Sequence, residues 1–347
     1  FQQQDVQELT RVLFDALEET FKGTAVENII DDLYAGQLID YLRCLDVDYQ
    51  SERVDKFLDF SLAIVPFGSD KPMHSLTECI EMYLRPEILD GDNKYYAEKY
   101  DQKVDAIKGL KFGKLPQIMS VQLKRFVYDF SGYSVVQKKL NDVVKFPMVL
   151  DMNKYVAGPA ASNASASADA AENVNNEFEE FLVKQIDLLK AGRGASSSGD
   201  SPPAFAASDA DLESGTNPFD TADTPAKSDS QKAPTESEET HIVYESLTRA
   251  QVAELVAQRG EWIYELYAVL IHSGVINGGH YYAYIKDLTS QRWWNFNDST
   301  VSSIDEKVVR EAWGGAHTTA SHYPGMYGAR QSSANAYMLM YRKVSTS

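Results

Sequence analysis

The feature that most constrains this chain is a change of composition that cuts it in two. Residues 157–240 are dominated by Ala, Ser, Asp, Glu, Asn, Thr and Pro, a mixture with too little apolar surface to offset the entropy of ordering its backbone. A packed core must be assembled from 1–156 and 241–347, with the acidic stretch as a largely disordered insert. The 347 residues, which at roughly 150 per domain suggest two domains, are better read as one interrupted domain. The insert's sixteen acidic and five basic residues carry −11 of the chain's formal −18. That sign disfavours nucleic-acid binding and suits a partner with a basic surface. One island, 178–190, sets Phe178, Phe181, Leu182, Ile186 and Leu189 on one helical face. A helix docked on the parent domain is expected there, with a partner-binding helix as the alternative.

Two cysteines, Cys44 and Cys79, exclude a disulfide framework and a four-thiolate zinc site, and point to a reducing compartment, the cytoplasm or also the nucleus. The apolar run from Leu266 to Ile271 is far shorter than the roughly 20 residues of a membrane span, so no membrane partner is expected. The chain opens on Phe1 and three glutamines without a signal-peptide pattern, and reads as a fragment whose upstream part is missing.

Helical spacing of Val6, Leu9, Leu13, Ala16 and Leu17 predicts an amphipathic helix from Asp5 with one packed face. Alternation from Phe57 to Leu62 predicts a strand, and a short helix is expected near Leu76 to Leu84. Ile118 to Leu123 reads as a buried strand. Thr248-Arg249-Ala250-Gln251 is a capping-box pattern ahead of a further helix. Strands are expected over Tyr264 to Ile271, His280 to Lys286, Trp293 to Phe296 and Ala336 to Tyr341. The fold class is α+β.

The chemistry concentrates in Asn277-Gly278-Gly279-His280-Tyr281-Tyr282 and Trp293-Trp294-Asn295-Phe296-Asn297-Asp298. A hairpin closing through Asp287 to Ser290 places Asn297 directly across from His280, where side chains stand about 5 Å apart. An amide there fixes the tautomer and orientation of the imidazole, which is two-thirds of a nucleophilic triad. The glycines before His280 let another backbone approach closely. The competing reading is a sheet histidine beside an amide, with a glycine turn that only closes a loop. No nucleophile is evident. Cys44 and Cys79 read as packing residues, no Gly-x-Ser-x-Gly elbow is present, and the six histidines show no metal-ligand spacing.

Gln3-Gln4-Asp5-Val6-Gln7-Glu8-Leu9, Gln122-Leu123-Lys124-Arg125-Phe126, the stretch from Tyr267 to Gly274, Gly278-Gly279-His280-Tyr281 and Phe296-Asn297-Asp298-Ser299-Thr300-Val301 resemble, in order, signature boxes of the ubiquitin-specific proteases. The resemblance implies a papain-like cysteine-protease fold. Its parts are a truncated helical thumb over 1–28, fingers over about 29–112, and a palm of antiparallel sheet from the remainder of 1–156 and 241–347. It implies thiol-dependent hydrolysis after the C-terminal glycine of ubiquitin, with ubiquitin and ubiquitinated proteins as partners and no cofactor. His280 would be the general base, Asn297 the third triad member and Asp298 a supporting neighbour. Asp5 and Glu8, on one helix face, would meet the basic tail of ubiquitin, while Gly278, Gly279 and Tyr281 would line the entrance for its Gly-Gly end. For Asp5 and Glu8 a solvated helix face is the competing reading. Two departures stand out. The family's cysteine box would lie upstream of Gln3, so this chain is expected to be inactive alone. In the fingers only Cys44 survives of the two Cys-x-x-Cys pairs, so packing must replace zinc. A catalytically silent ubiquitin-binding scaffold is the alternative function. Within the insert, Asn217-Pro218-Phe219 is similar to ligands of EH domains, with a plain turn as the commoner reading.

Overall fold

In this computed structural model residues 6–66, 68–69, 71–129, 135–157, 178–187, 243–275, 278–315 and 333–344 are described. The chain starts with α1 (Val6–Phe21) and α2 (Ile29–Tyr34), followed by β1 (Gly36–Cys44), β2 (Gln50–Phe57) and β3 (Phe60–Ala63). Next come α3 (Leu76–Tyr83), β4 (Glu87–Leu89), β5 (Tyr95–Ala97), β6 (Gln102–Val104) and β7 (Ala106–Lys114). Then β8 (Ile118–Lys124), β9 (Phe126–Asp129), β10 (Val136–Lys139) and β11 (Val149–Asp151) lead to the insert. The described part of the insert, 178–187, is a helix, α4. Beyond it lie α5 (Arg249–Arg259), β12 (Ile263–Val275), β13 (Gly278–Lys286), β14 (Trp293–Asn297), β15 (Thr300–Ile304), α6 (Glu306–Glu311) and β16 (Asn335–Lys343).

The break in composition does not break the sheet. One large sheet runs β15-β14-β13-β12-β16-β8-β3, with β11 also paired to β12. Its β16–β8 and β11–β12 ladders join strands from opposite sides of the insert. All its pairings are antiparallel except β3 with β8, a parallel contact at the edge of the antiparallel palm that the sequence leads one to expect. A second sheet runs β2-β1-β7-β4, and β5 and β6 form a separate two-stranded ribbon. The fold is α+β.

The alternation from Phe57 to Leu62 is not one strand. β2 ends at Phe57, and β3 restarts at Phe60 in the other sheet. The rings of Phe57, Phe60 and Phe112 meet at this junction with centroids 5.4–5.9 Å apart, so strands of two sheets feed one core. α1 also departs from expectation. Its half-buried face is Val6, Thr10, Phe14, Leu17 and Phe21, with Phe14 4.6 Å from the Tyr34 ring, whereas Leu9 and Leu13 are 61% and 51% exposed.

Other local rules hold. Thr248 and Gln251 exchange both capping-box bonds at the start of α5, and Ser75 accepts from Glu78 N to start α3. α4 docks, as the island's apolar face suggests: Phe178, Phe181, Leu182 and Ile186 are buried, with Phe178 edge-on to Tyr41 at 6.4 Å and Phe181 edge-on to Tyr155 at 5.6 Å. At the far end of the second sheet, Cys44 packs with Ala97, Val104 and Ala106 under Val47, Tyr49 and Tyr95. This apolar plug occupies the place where the family resemblance puts zinc-binding cysteines.

Candidate active site

The site is built on β13 and β14. β12 carries β13 along its length, with Ser273 opposite His280, and β13 then turns into β14. The turn is longer than the sequence reading assumes. It runs from Asp287 to Arg292, closed by Asp287 N–H to Arg292 O and Gln291 N–H to Asp287 O, each 2.8 Å. The Asp287 carboxylate accepts from Thr289 N at 2.9 Å and from Ser290 Oγ, and Gln291 takes a φ of 59°. The ladder therefore runs from Lys286↔Trp293 to Ala283↔Phe296, offset by two residues from the expected register, in which Asn297 faced His280 directly. An even offset keeps every side chain on its face, and Asn297 reaches His280 along the diagonal instead.

The contact is made: His280 Nε2 lies 2.6 Å from Asn297 Oδ1. A carbonyl oxygen only accepts, so Nε2 is the donor in this contact, which in a neutral ring leaves the lone pair on Nδ1. Asn297 is the last residue of β14. The chain turns there through Asp298 and Ser299 to Thr300, with Asp298 at φ 49°, a region where Asp is tolerated better than most residues. The Asp298 carboxylate stands 3.9 Å from the same Nε2, beyond hydrogen-bonding range. It supplies charge near the ring, and Asn297 supplies orientation. His280 stacks on Tyr282 with centroids 6.2 Å apart and keeps 46% of its side chain exposed.

The other residues singled out by sequence are not all gathered here. Glu8 is exposed on α1, and Asp5 lies outside the described residues, as does Asn217-Pro218-Phe219. Gly278 faces open space, whereas a Cβ on Gly279 would collide with the His272 imidazole and come within 2.8 Å of the Ser273 carbonyl oxygen. Gly279 is thus explained by packing inside the sheet. Tyr281, one residue after His280, lies on the opposite face of the strand and packs on His272 at 4.8 Å and Tyr337 at 5.6 Å.

Behind the dyad sit groups that sequence reasoning missed. Arg125, fully buried, donates to the carbonyls of Ala336, Leu140, Asp142 and Trp313 at 2.5–3.2 Å. Burial pulls its pKa down to about 10, so the guanidinium is still charged near neutrality. Lys139, also buried, donates to three more carbonyls. Arg125 stands in a recognisable box, yet only three-dimensional contact shows that its work is to hold backbone. Neither cysteine is poised for attack. Cys44 is 6% exposed and Cys79 1%; burial and then Asp46 raise the Cys44 pKa, and burial pushes the Cys79 thiol up to about 12. Among the described residues no three His, Cys, Asp or Glu side chains gather as metal ligands, and no helix is long and apolar enough to cross a membrane.

A histidine held by an asparagine is part of the Cys-His-Asn arrangement that papain-like thiol proteases use. Comparison with known proteins gives the family: the model for ubiquitin carboxyl-terminal hydrolases matches residues 1–341, and the chain belongs to that family. It is similar to ubiquitin carboxyl-terminal hydrolase 47 from Drosophila melanogaster, 37% identical over 344 residues, 99% of this chain and 20% of that protein. The Homo sapiens hydrolase 47 is 34% identical over 342 residues, 99% of this chain and 22% of that protein. Ubiquitin C-terminal hydrolase 13 from Arabidopsis thaliana is 29% identical over 345 residues, 98% and 22%. The chain spans about a fifth of the length of these relatives.

Proposed function

We propose that these residues form the base-bearing part of a deubiquitinase that hydrolyses the peptide or isopeptide bond after the C-terminal glycine of ubiquitin. The observation that carries this reading is the 2.6 Å contact between His280 Nε2 and Asn297 Oδ1. With Nε2–H held by Asn297, Nδ1 accepts the proton of a thiol. The thiolate attacks the glycine carbonyl carbon, the imidazolium returns the proton to the departing amine, and a thioester is left. Water deprotonated by His280 attacks the thioester and releases the ubiquitin carboxylate and the thiol. Asp298 adds negative potential beside the imidazolium.

The nucleophile is a cysteine outside these 347 residues, because Cys44 and Cys79 are buried with raised pKa values, opposite to what a reactive thiol requires. The chain alone is inactive. Glu8, with Asp5, presents negative charge to the basic ubiquitin tail, and Gly278 and Gly279 give the tail a narrow entrance. Residues 1–28 act as thumb and about 29–112 as fingers, except β3, which pairs with β8 in the large sheet and joins the rest as palm. Two unpaired thiols suit the cytoplasm or nucleus.

An electrophilic ubiquitin probe applied to the longer protein containing this chain tests the reading. The adduct is expected on a cysteine outside the chain and should vanish when that residue is changed to Ala. Labelling of Cys44 or Cys79 would overturn it, and ubiquitin binding with no adduct at all would favour the silent scaffold.

A further inference from the structure

The pairing of β12 with β16 stops at His272↔Asn335, yet β12 continues to Val275 and carries the start of β13, where Ser273 faces His280. Something other than a strand must hold this end of β12. Lys139, the last residue of β10, reaches across and donates to His272 O at 2.9 Å, to Gly274 O at 3.4 Å and to Ser333 O at 2.5 Å. An ammonium has three donors, and all three are engaged. Ser333 completes the arrangement by accepting from Gly274 N at 2.9 Å through its Oγ. Ammonium and hydroxyl together substitute for the missing strand neighbour.

We propose that Lys139 is a positioning residue for His280, fixing the end of β12 against which the base-bearing end of β13 is registered; this rests on the reading of His280 as the base. The two glycines at this point make the clamp necessary. Gly274 has φ 108°, and a Cβ there would come within 2.8 Å of Gly278 O, so the backbones of β12 and β13 touch without side chains between them. Glycines give the chain the most freedom to lose, and the ladder is closest to fraying at its end. The charged or titratable groups around the amine are Arg125, whose Nη1 holds the carbonyl of neighbouring Leu140, and His272 of β12. No carboxylate bonds to it among the described residues, and burial with the Arg125 charge lowers its pKa to about 8. A buried cation without a counter-ion is costly; its three carbonyl partners are what offset that cost.

The test is Lys139→Met, which keeps the length and removes every donor, with Thr248→Ala, a loss of cap remote from the site, as a control for destabilisation. In histidine-labelled full chain, proton–nitrogen correlation spectra read the His280 tautomer without any catalysis. The wild type should show a dominant Nε2–H form, Lys139→Met a mixture, and Thr248→Ala the wild-type pattern. In the longer protein kcat should fall at least tenfold, about what slight misplacement of a catalytic group costs, with KM little changed. A wild-type His280 spectrum in Lys139→Met overturns the proposal. If that variant does not fold, Lys139→Gln, which has two side-chain donors in place of three and no charge, takes its place under the same criterion. A tautomer change in a protein with no hydrolytic activity would leave Lys139 in its role and remove the deubiquitinase reading instead.

Discussion

His272 shows how one side chain shapes the site from behind. It is completely buried, its ring sits edge-on to Phe126 at 5.1 Å and Tyr281 at 4.8 Å, and neither ring nitrogen has a hydrogen-bond partner. Burial, then the Lys139 charge, lowers its pKa to about 4. The unfolded chain takes up this proton near 6.5 and the folded chain only near 4, so unfolding binds a proton between those values. Stability on this account is full above pH 6.5 and is lost as pH falls towards 4, by on the order of 3 kcal/mol at about 1.4 kcal/mol per pKa unit. Urea midpoints from pH 7 to 4 should show it, and His272→Leu should flatten that segment of the curve; an unchanged slope would contradict it. Gly279→Ala pushes a methyl group into the same ring and should cost about 1–3 kcal/mol as overpacking, measurable as a lower urea midpoint at pH 7. At this scale the contact between His280 and Asn297 was legible, because few residue types can hold an imidazole across a hairpin. Lys139 and His272 were not, because a lysine in a polar strand and a histidine in an apolar one look ordinary until distant carbonyls and rings surround them.

At the level of elements, local signals were read well wherever they are local in origin. The capping box before α5 needs only Thr248 and Gln251, three residues apart in the chain, and it forms. Thr248→Ala should destabilise α5 by about 1 kcal/mol, seen as faster amide exchange in its first turn; unchanged exchange would mean that tertiary contacts and not the cap hold the helix. Elements whose faces are set by distant partners were read less well. Leu9 and Leu13 fit a helical stripe, but α1 turns Phe14 towards Tyr34 and leaves both leucines outside. The β13–β14 register was offset by two because the Asp287 side chain stabilises a wider turn, a preference invisible in strand alternation. The dyad survived that error because the offset was even.

For the molecule as a whole, the acidic insert interrupts the sequence but not the core, since strands from both sides of it share the large sheet. α4 anchors the insert beside the second sheet through Phe178 and Phe181, and Arg43 faces Glu179 at 3.8 Å. Phe181 belongs to the main core that the sheets share, so Phe181→Ala should cost about 3–5 kcal/mol and lower the urea midpoint of the whole fold; faster exchange confined to 178–187 with an unmoved midpoint would make α4 a separate local unit. The composition break and the island were legible from sequence, whereas the meeting of Phe57, Phe60 and Phe112 between two sheets was not, since it requires strands far apart in the chain. The central claim is that His280, steered by Asn297, serves a thiol lying outside these residues. Its most direct test is hydrolysis of a C-terminal ubiquitin amide by the longer protein in three forms: wild type, His280→Ala, and Cys44→Ala with Cys79→Ala. His280→Ala should lower kcat by about 10²–10⁴-fold, the usual worth of a general base, while the double cysteine variant turns over like wild type at a temperature where it is folded; full activity in the first, or loss in the folded second, would contradict the account.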